Sequence, residues 1–208
     1  KDKFFELDYI LLFSILTLGI ISMFAQYSSS GGQFVYHAKS HAIRFVVFFV
    51  FFLAISFINI RFWNDYSMLI FFLLILLLLA VKFWGVQSQG SRRWISLFVF
   101  NLQPSELMKI GIILFLSNYY HKISSGDVNK FRYLFYPLLA LLIPFMLVLS
   151  QPDLGTALLI LISGIVITWL SGVRWKIFAY LSVLSIVLAP IAISFLKPYQ
   201  KSRILTFL

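Results

Sequence analysis

Long apolar runs, broken by short clusters of charged, Gly, Ser or Asn residues, divide the chain into seven segments. They lie at Leu7–Ala25, Ala42–Ile60, Ser67–Trp84, Pro104–Tyr120, Tyr133–Leu149, Pro152–Leu170 and Ile177–Phe195. Each is close to the roughly 20 apolar residues that carry a helix across a bilayer. The runs are continuous, which excludes the two-residue alternation of a membrane β-barrel. Backbone polar groups in hydrocarbon need internal partners, so all seven are predicted as helices. Pro137, Pro144 and Pro190 fall inside them and predict kinks or packed irregularities. Trp63, Trp84, Trp169 and Trp175 stand at segment ends, where amphipathic rings meet the membrane surface. No internal repeat, heptad or low-complexity linker interrupts the pattern.

Composition closes the soluble alternative. Hydrophobic residues make up 61% of the 208 and charged residues 12%, against roughly 25% charged in a soluble domain. Mean hydropathy is +0.95, and 24 Phe would leave large apolar patches in water. The expected fold is all-α: one polytopic transmembrane domain over residues 1–208. There are no cysteines, so disulfides and thiolate metal sites are excluded. The chain opens on Lys1-Asp2-Lys3, with a first apolar segment too long for a signal peptide, and stops at Thr206-Phe207-Leu208. That suggests a fragment of a longer protein.

Seven crossings sort the connections onto two faces. Lys1, Lys3, Arg61, Lys122, Lys130, Arg132, Arg174 and Lys176 belong to the first face, with the amino terminus. Lys39, Arg44, Lys82, Arg92, Arg93, Lys197, Lys201 and Arg203 belong to the second. Eight against eight is a tie, and the excess of cations inside does not orient the protein. The net charge of +10 has little soluble loop to sit on, which argues against nucleic acid. If the second face is the translocated one, either its long loops simply escape the rule or its cations have another role, such as holding an anionic ligand.

Three motifs fall on that face. Gly90-Ser91-Arg92-Arg93-Trp94-Ile95 offers two adjacent guanidiniums suited to phosphate and a flat ring; a lipid-headgroup anchor would look the same. In Gln103-Pro104-Ser105-Glu106-Leu107-Met108-Lys109, Pro104 suits the first helical position and Glu106 the first turn. Lys109 follows three residues on, and a Glu106–Lys109 pair is expected, because an ammonium in the membrane needs a partner. The pair either holds helices together or lines a polar cavity. Gln151-Pro152-Asp153-Leu154-Gly155-Thr156 repeats the Gln-Pro start with an acid in the first turn, and Gly155 suits close helix approach. Asp153 is either a helix-start charge or part of a buried polar network. Arg44, Lys197, Lys201 and Arg203 lie around these motifs. His37, His41 and His121 lack metal-ligand spacing and are expected in loops.

In this order and at these positions, the three stretches resemble the SEDS family of bacterial cell-wall polymerases, which includes RodA, FtsW and SpoVE; the last two motifs lean toward RodA. The resemblance covers essentially the whole chain. It implies a peptidoglycan glycosyltransferase of cell elongation and rod shape, polymerising lipid II at the outer surface of the bacterial inner membrane. It further implies a cytoplasmic amino terminus, motif-bearing loops outside, and a class B penicillin-binding transpeptidase as partner. Arg93, Trp94, Glu106, Lys109 and Asp153 match motif residues, with Gln103, Pro104, Ser105, Gln151, Pro152, Gly155 and Thr156 as the motifs' structural frame. Arg93, Lys197 and Arg203 become candidates for pyrophosphate contact, and Trp94 for shaping the cavity mouth. Arg44 joins the cavity set, and a divalent cation such as Mg or Mn is compatible with the leaving pyrophosphate. Members of the family have about ten spans of ordinary length, and their essential acid lies in an outer loop after the seventh. No residue here maps onto it, so the fragment alone is expected to be inactive. A lipid II flippase and a non-catalytic scaffold recruiting the transpeptidase are the rival readings.

Overall fold

The structure is a computed structural model that describes residues 7–32, 36–88, 91–97, 100–124 and 126–194. Seven helices account for the seven predicted segments: α1 (Tyr9–Ser29), α2 (Tyr36–Ser56), α3 (Ile60–Trp84), α4 (Pro104–His121), α5 (Phe131–Ser150), α6 (Leu154–Leu170) and α7 (Trp175–Ser194). Between α3 and α4 lie three short strands, β1 (Val86–Ser88), β2 (Ser91–Leu97) and β3 (Phe100–Leu102). They form an antiparallel meander in the order β1-β2-β3, with Gln87 opposite Arg92 and Ser96 opposite Asn101. This is the one place where the sequence predicts loop and the protein builds sheet.

Helix ends follow caps more closely than apolar runs. The Asp8 carboxylate accepts from the N–H groups of Ile10 and Leu11, both at 3.0 Å, and so starts α1. The Asn59 side chain accepts from the Arg61 N–H at 2.9 Å, and α3 begins at Ile60, seven residues before its expected start. The extension takes in Arg61, Asn64 and Asp65, polar residues that a hydropathy reading assigns to a loop. α2 likewise begins at Tyr36, which puts His37 and His41 on a helix, and His121 is the last residue of α4. None of the three is a loop residue.

The chain forms two compact units, divided after Phe62. In the first, α1 packs on α2. A side chain at Gly19 would run into the Phe45 ring, so the missing Cβ is what lets these helices meet. Across the same pair, Ser22 Oγ and His41 Nε2 are 2.5 Å apart.

The second unit holds the core. Leu78 and Val81 of α3, Met108, Ile112 and Leu116 of α4, Val148 of α5 and Ala157 and Ile160 of α6 are fully buried. Met108, Ile112 and Leu116 recur every fourth residue, one stripe of α4 turned inward. Large side chains elsewhere face outward, among them Ile10, Phe13, Phe24, Leu76 and Ile110. That distribution is right for hydrocarbon surroundings, where contact with lipid carries no transfer penalty and helices associate through close packing instead. Gly164 of α6 is such a contact: a Cβ there would overlap Leu141 of α5. Gly155, assigned that role from the sequence, is exposed with open space around it. It lies on the outer side of the first turn of α6, away from the packed stripe of Ala157, Ile160 and Gly164.

α5 runs unbroken through both Pro137 and Pro144, which are fully buried. Pro137 has no N–H for the Tyr133 carbonyl one turn back. The Tyr119 hydroxyl of α4 donates to that carbonyl instead, at 3.2 Å. Four helices, α1, α2 (from Ala38), α3 and α5, are long and apolar enough to cross a membrane by length and composition alone.

Candidate functional site

The second unit brings the three motifs together at one end. The connection begins with Pro104 at the first position of α4, where its missing N–H costs nothing. Gln103, the residue before it, makes no side-chain cap to its own helix. Its amide turns outward, donating to Ser105 Oγ at 3.1 Å and to Asp153 Oδ2 at 3.0 Å. Fifty residues of sequence separate Gln103 and Asp153, and this bond ties the head of α4 to the head of α6.

Asp153 is the N-cap of α6: its Oδ1 accepts from the Thr156 N–H at 3.3 Å. The sequence reading placed it inside the first turn. The helix instead starts at Leu154, two residues after the expected Pro152, because a carboxylate at the cap satisfies a donor that would otherwise be unpaired. Gln151 and Pro152 form the turn before it, with Gln151 capping α5. Gln151 is buried, and its amide donates to the Leu78 carbonyl of α3 at 2.9 Å.

Arg93 closes the network from β2. Its Nε donates to the Gln151 carbonyl at 3.2 Å, and an Nη to the Pro152 carbonyl. Another Nη lies 3.7 Å from Asp153 Oδ2. The side chains of Arg93 and Asp153 are 22% and 12% exposed, so the pair is desolvated enough to matter but not sealed from water. One guanidinium thus holds the α5–α6 turn, the α6 cap and the sheet together. Arg92 does not share this work. The β1–β2 register shifts here, with Val86 opposite Trp94 and Gln87 opposite Arg92, so Arg93 is the extra residue of a bulge; it reaches the helix ends while Arg92 is exposed. The two guanidiniums are not a single fork for one phosphate, as their adjacency suggested. Trp94 is half-buried and pairs with Val86.

One turn into α4, Lys109 Nζ lies 2.9 Å from Glu106 Oε2, the i, i+3 pair that the spacing predicts. Glu106 is 52% exposed and Lys109 26%, so the carboxylate is the more exposed partner of the two. The pair makes no other ion pair among the described residues, and it is open to a ligand in a way the Arg93–Asp153 network is not. Both Asp153 oxygens are already engaged and Glu106 is bound to Lys109. The described residues offer no cluster of three or more His, Asp or Glu side chains able to hold a metal. Among the described residues these side chains form no site for a resident Mg or Mn ion.

Arg44 lies in the first unit, on α2, where its guanidinium bonds Ser40 O at 3.1 Å and Ser40 Oγ at 3.0 Å. Lys197 and Arg203 lie outside the described residues. The partners sequence reasoning missed are main-chain carbonyls: those of Gln151, Pro152 and Leu78. Every residue carries one, so nothing in the sequence marks them. The side chains that reach for them, Arg93 and Gln151, were the visible signal.

A helical bundle with apolar outer faces and a polar cluster at one end defines a polytopic membrane protein. The FtsW/RodA/SpoVE family model, described as a cell cycle protein, matches residues 4–208, and the chain belongs to that family. It is 32% identical over 181 residues to a probable peptidoglycan glycosyltransferase FtsW of Buchnera aphidicola, covering 85% of this chain and 51% of that protein. It is 34% identical over 198 residues to the peptidoglycan glycosyltransferase MrdB of Helicobacter pylori, covering 93% and 51%. Among solved structures, the fold is similar to the rod shape determining protein RodA of Thermus thermophilus. That match has a TM-score of 0.72 and 25% identity, over 88% of this chain and 59% of that one. A chain from a peptidoglycan synthase complex, described as coordinating polymerization and crosslinking, matches with a TM-score of 0.82 at 25% identity, over 95% and 58%. The chain spans about half the length of the curated relatives it matches.

Proposed function

We propose that the protein to which this chain belongs is a lipid II polymerase, a peptidoglycan glycosyltransferase of cell elongation. The observation that carries the reading is the meeting of all three motifs at one end of the second unit in a family whose named relatives are glycosyltransferases. In this reading the protein sits in the bacterial inner membrane with its amino terminus cytoplasmic and the motif end outside. The acceptor hydroxyl is deprotonated by a carboxylate supplied outside residues 1–208. It attacks the anomeric carbon of the donor and inverts it, and undecaprenyl pyrophosphate leaves. Lys109 and the exposed Arg92 stabilise charge developing on that leaving group, together with Lys197 and Arg203. Glu106 keeps Lys109 charged and aimed. Arg93 and Asp153 act one layer back, holding the heads of α4 and α6 in register, and Trp94 shapes the mouth. A class B penicillin-binding transpeptidase is the proposed partner, and residues 1–208 are proposed as one transmembrane domain that does not polymerise alone.

The test is polymer formation by the full-length protein purified with its transpeptidase and supplied with lipid II. Glu106→Ala and Arg93→Ala should each cut the rate by about tenfold or more, about 1.4 kcal/mol of transition-state stabilisation. Parental rates in both variants would remove the site assignment. Transbilayer movement of labelled lipid II in liposomes, without polymer, would replace the polymerase with a flippase.

A further inference from the structure

Gln151 is 4% exposed and lies in the turn between α5 and α6 that carries the third motif. A polar residue that deep needs partners, and this one has bonds to three elements. Its N–H donates to the Val148 carbonyl of α5 at 3.0 Å, and the Asp153 N–H reaches the same oxygen at 3.4 Å, which closes the turn. Its carbonyl accepts from Arg93 Nε of β2 at 3.2 Å. Its side-chain amide donates to the Leu78 carbonyl of α3 at 2.9 Å. Leu78 is fully buried, and a carbonyl can only accept. The bond is therefore out of reach of water and needs the nitrogen end of the amide.

The elements joined here are those that carry the meander. The strands connect to α3 through Gly85 and to α4 through Gln103, and β2 also packs on α4. Asp153 fixes the α4 end of that span, because it takes the Gln103 amide. Gln151 fixes the α3 end at Leu78, within the last two turns of the helix, and the middle through Arg93. Arg92 and Trp94 flank Arg93 in β2, so any shift of the strand moves both with it.

We propose that Gln151 is a positioning residue for the polymerase site: by tying α3 and β2 to one turn, it sets where the meander presents Arg92 and Trp94 to the substrate. This rests on the polymerase reading. Gln151 acts through Arg93 and α3. Arg92 meets charge that develops as the pyrophosphate leaves, so displacing it costs turnover more than affinity.

The test has two readouts on the full-length protein with its transpeptidase. Gln151→Met keeps the length and loses the donor, while the Leu78 carbonyl keeps its place in the α3 ladder. Turnover on lipid II should fall about tenfold with KM held within about twofold, the pattern of an interaction lost in the transition state. The second readout is distance, by double electron–electron resonance, with any cysteine outside residues 1–208 replaced. Nitroxides at Ser96→Cys and Leu170→Cys, both exposed, span from β2 to the last residue of α6. Their distance distribution should broaden in Gln151→Met. A Leu107→Cys/Leu170→Cys pair spans α4 to α6 and should not change, whereas a general loosening of the fold would broaden it too. Ser150→Ala, in the adjoining position, removes a hydroxyl bonded to the Leu147 carbonyl of its own helix at 2.7 Å and should move neither readout. Should Gln151→Met fail to fold, Gln151→Asn keeps the amide one methylene short of Leu78 and carries the same comparison. Parental turnover, an unmoved Ser96–Leu170 distribution, or broadening of both distances would overturn the proposal. A parent that moves lipid II without polymerising it removes the polymerase reading instead, and the distances still decide whether Gln151 places the meander.

Discussion

Two adjacent arginines illustrate how little a residue's identity says until its backbone is known. In a loop, Arg92 and Arg93 would present a joint cation; in β2 they diverge, and only Arg93 meets the helix ends. Arg93→Ala should therefore destabilise the protein by about 1–3 kcal/mol, because it strips hydrogen bonds from two carbonyls and leaves Asp153 short of its cation. Arg92→Ala should stay within about 0.5 kcal/mol, as exposed substitutions usually do. Thermal unfolding of the two variants in detergent separates them, and equal melting points would mean that the Arg93 network holds nothing together. The Glu106–Lys109 pair was legible because helical spacing alone brings i and i+3 together. The Arg93 contacts were not, since they depend on a strand that seven short residues barely signal and on carbonyls common to every residue.

Element by element, hydropathy located all seven helices and misplaced several ends. A hydropathy run stops where water begins, whereas a helix stops where its last N–H or C=O finds a cap. Asn59 and Asp153 are caps of that kind, and both moved a boundary. Glycine was the less legible signal, because sequence shows its presence and not the neighbour it admits. Gly164→Val should force Leu141 away and loosen α5 from α6, at about 1–3 kcal/mol of overpacking. Gly155→Ala has room, and alanine is favoured in helices, so it should be neutral or stabilising by up to about 1 kcal/mol. Pro137 adds a third test, because it creates an acceptor that only a neighbouring helix can satisfy. Tyr119→Phe should leave the Tyr133 carbonyl unpaired and cost about 1 kcal/mol. A melting series over these three variants that failed to rank Gly164→Val worst would show that α5 and α6 are held by something other than their close contact.

Over the whole chain, the sequence leads one to expect eight basic residues on each face, and any orientation must accommodate that expectation. With the motif end outside, the outward cations fall into groups with different uses. Arg93 is bound to Asp153 and two carbonyls, while Arg92 remains exposed. On the opposite end, Lys122, Arg132, Arg174 and Lys176 are free to meet anionic lipid at the cytoplasmic surface, where such residues are favoured by about 1 kcal/mol each. Residues 1–208 contain no cysteine, so the orientation can be read from single cysteines placed among them, against the unsubstituted protein as background. Arg92→Cys, on the exposed side of β2, should react with a membrane-impermeant maleimide in intact spheroplasts. Lys122→Cys and Arg174→Cys, on the two connections of the opposite end, should react only after lysis. The reverse pattern would put Glu106, Lys109 and the Arg93–Asp153 network inside the cell. A polymerase acting on lipid II at the outer surface could not use them there, so this labelling experiment tests the proposed function as directly as it tests the topology.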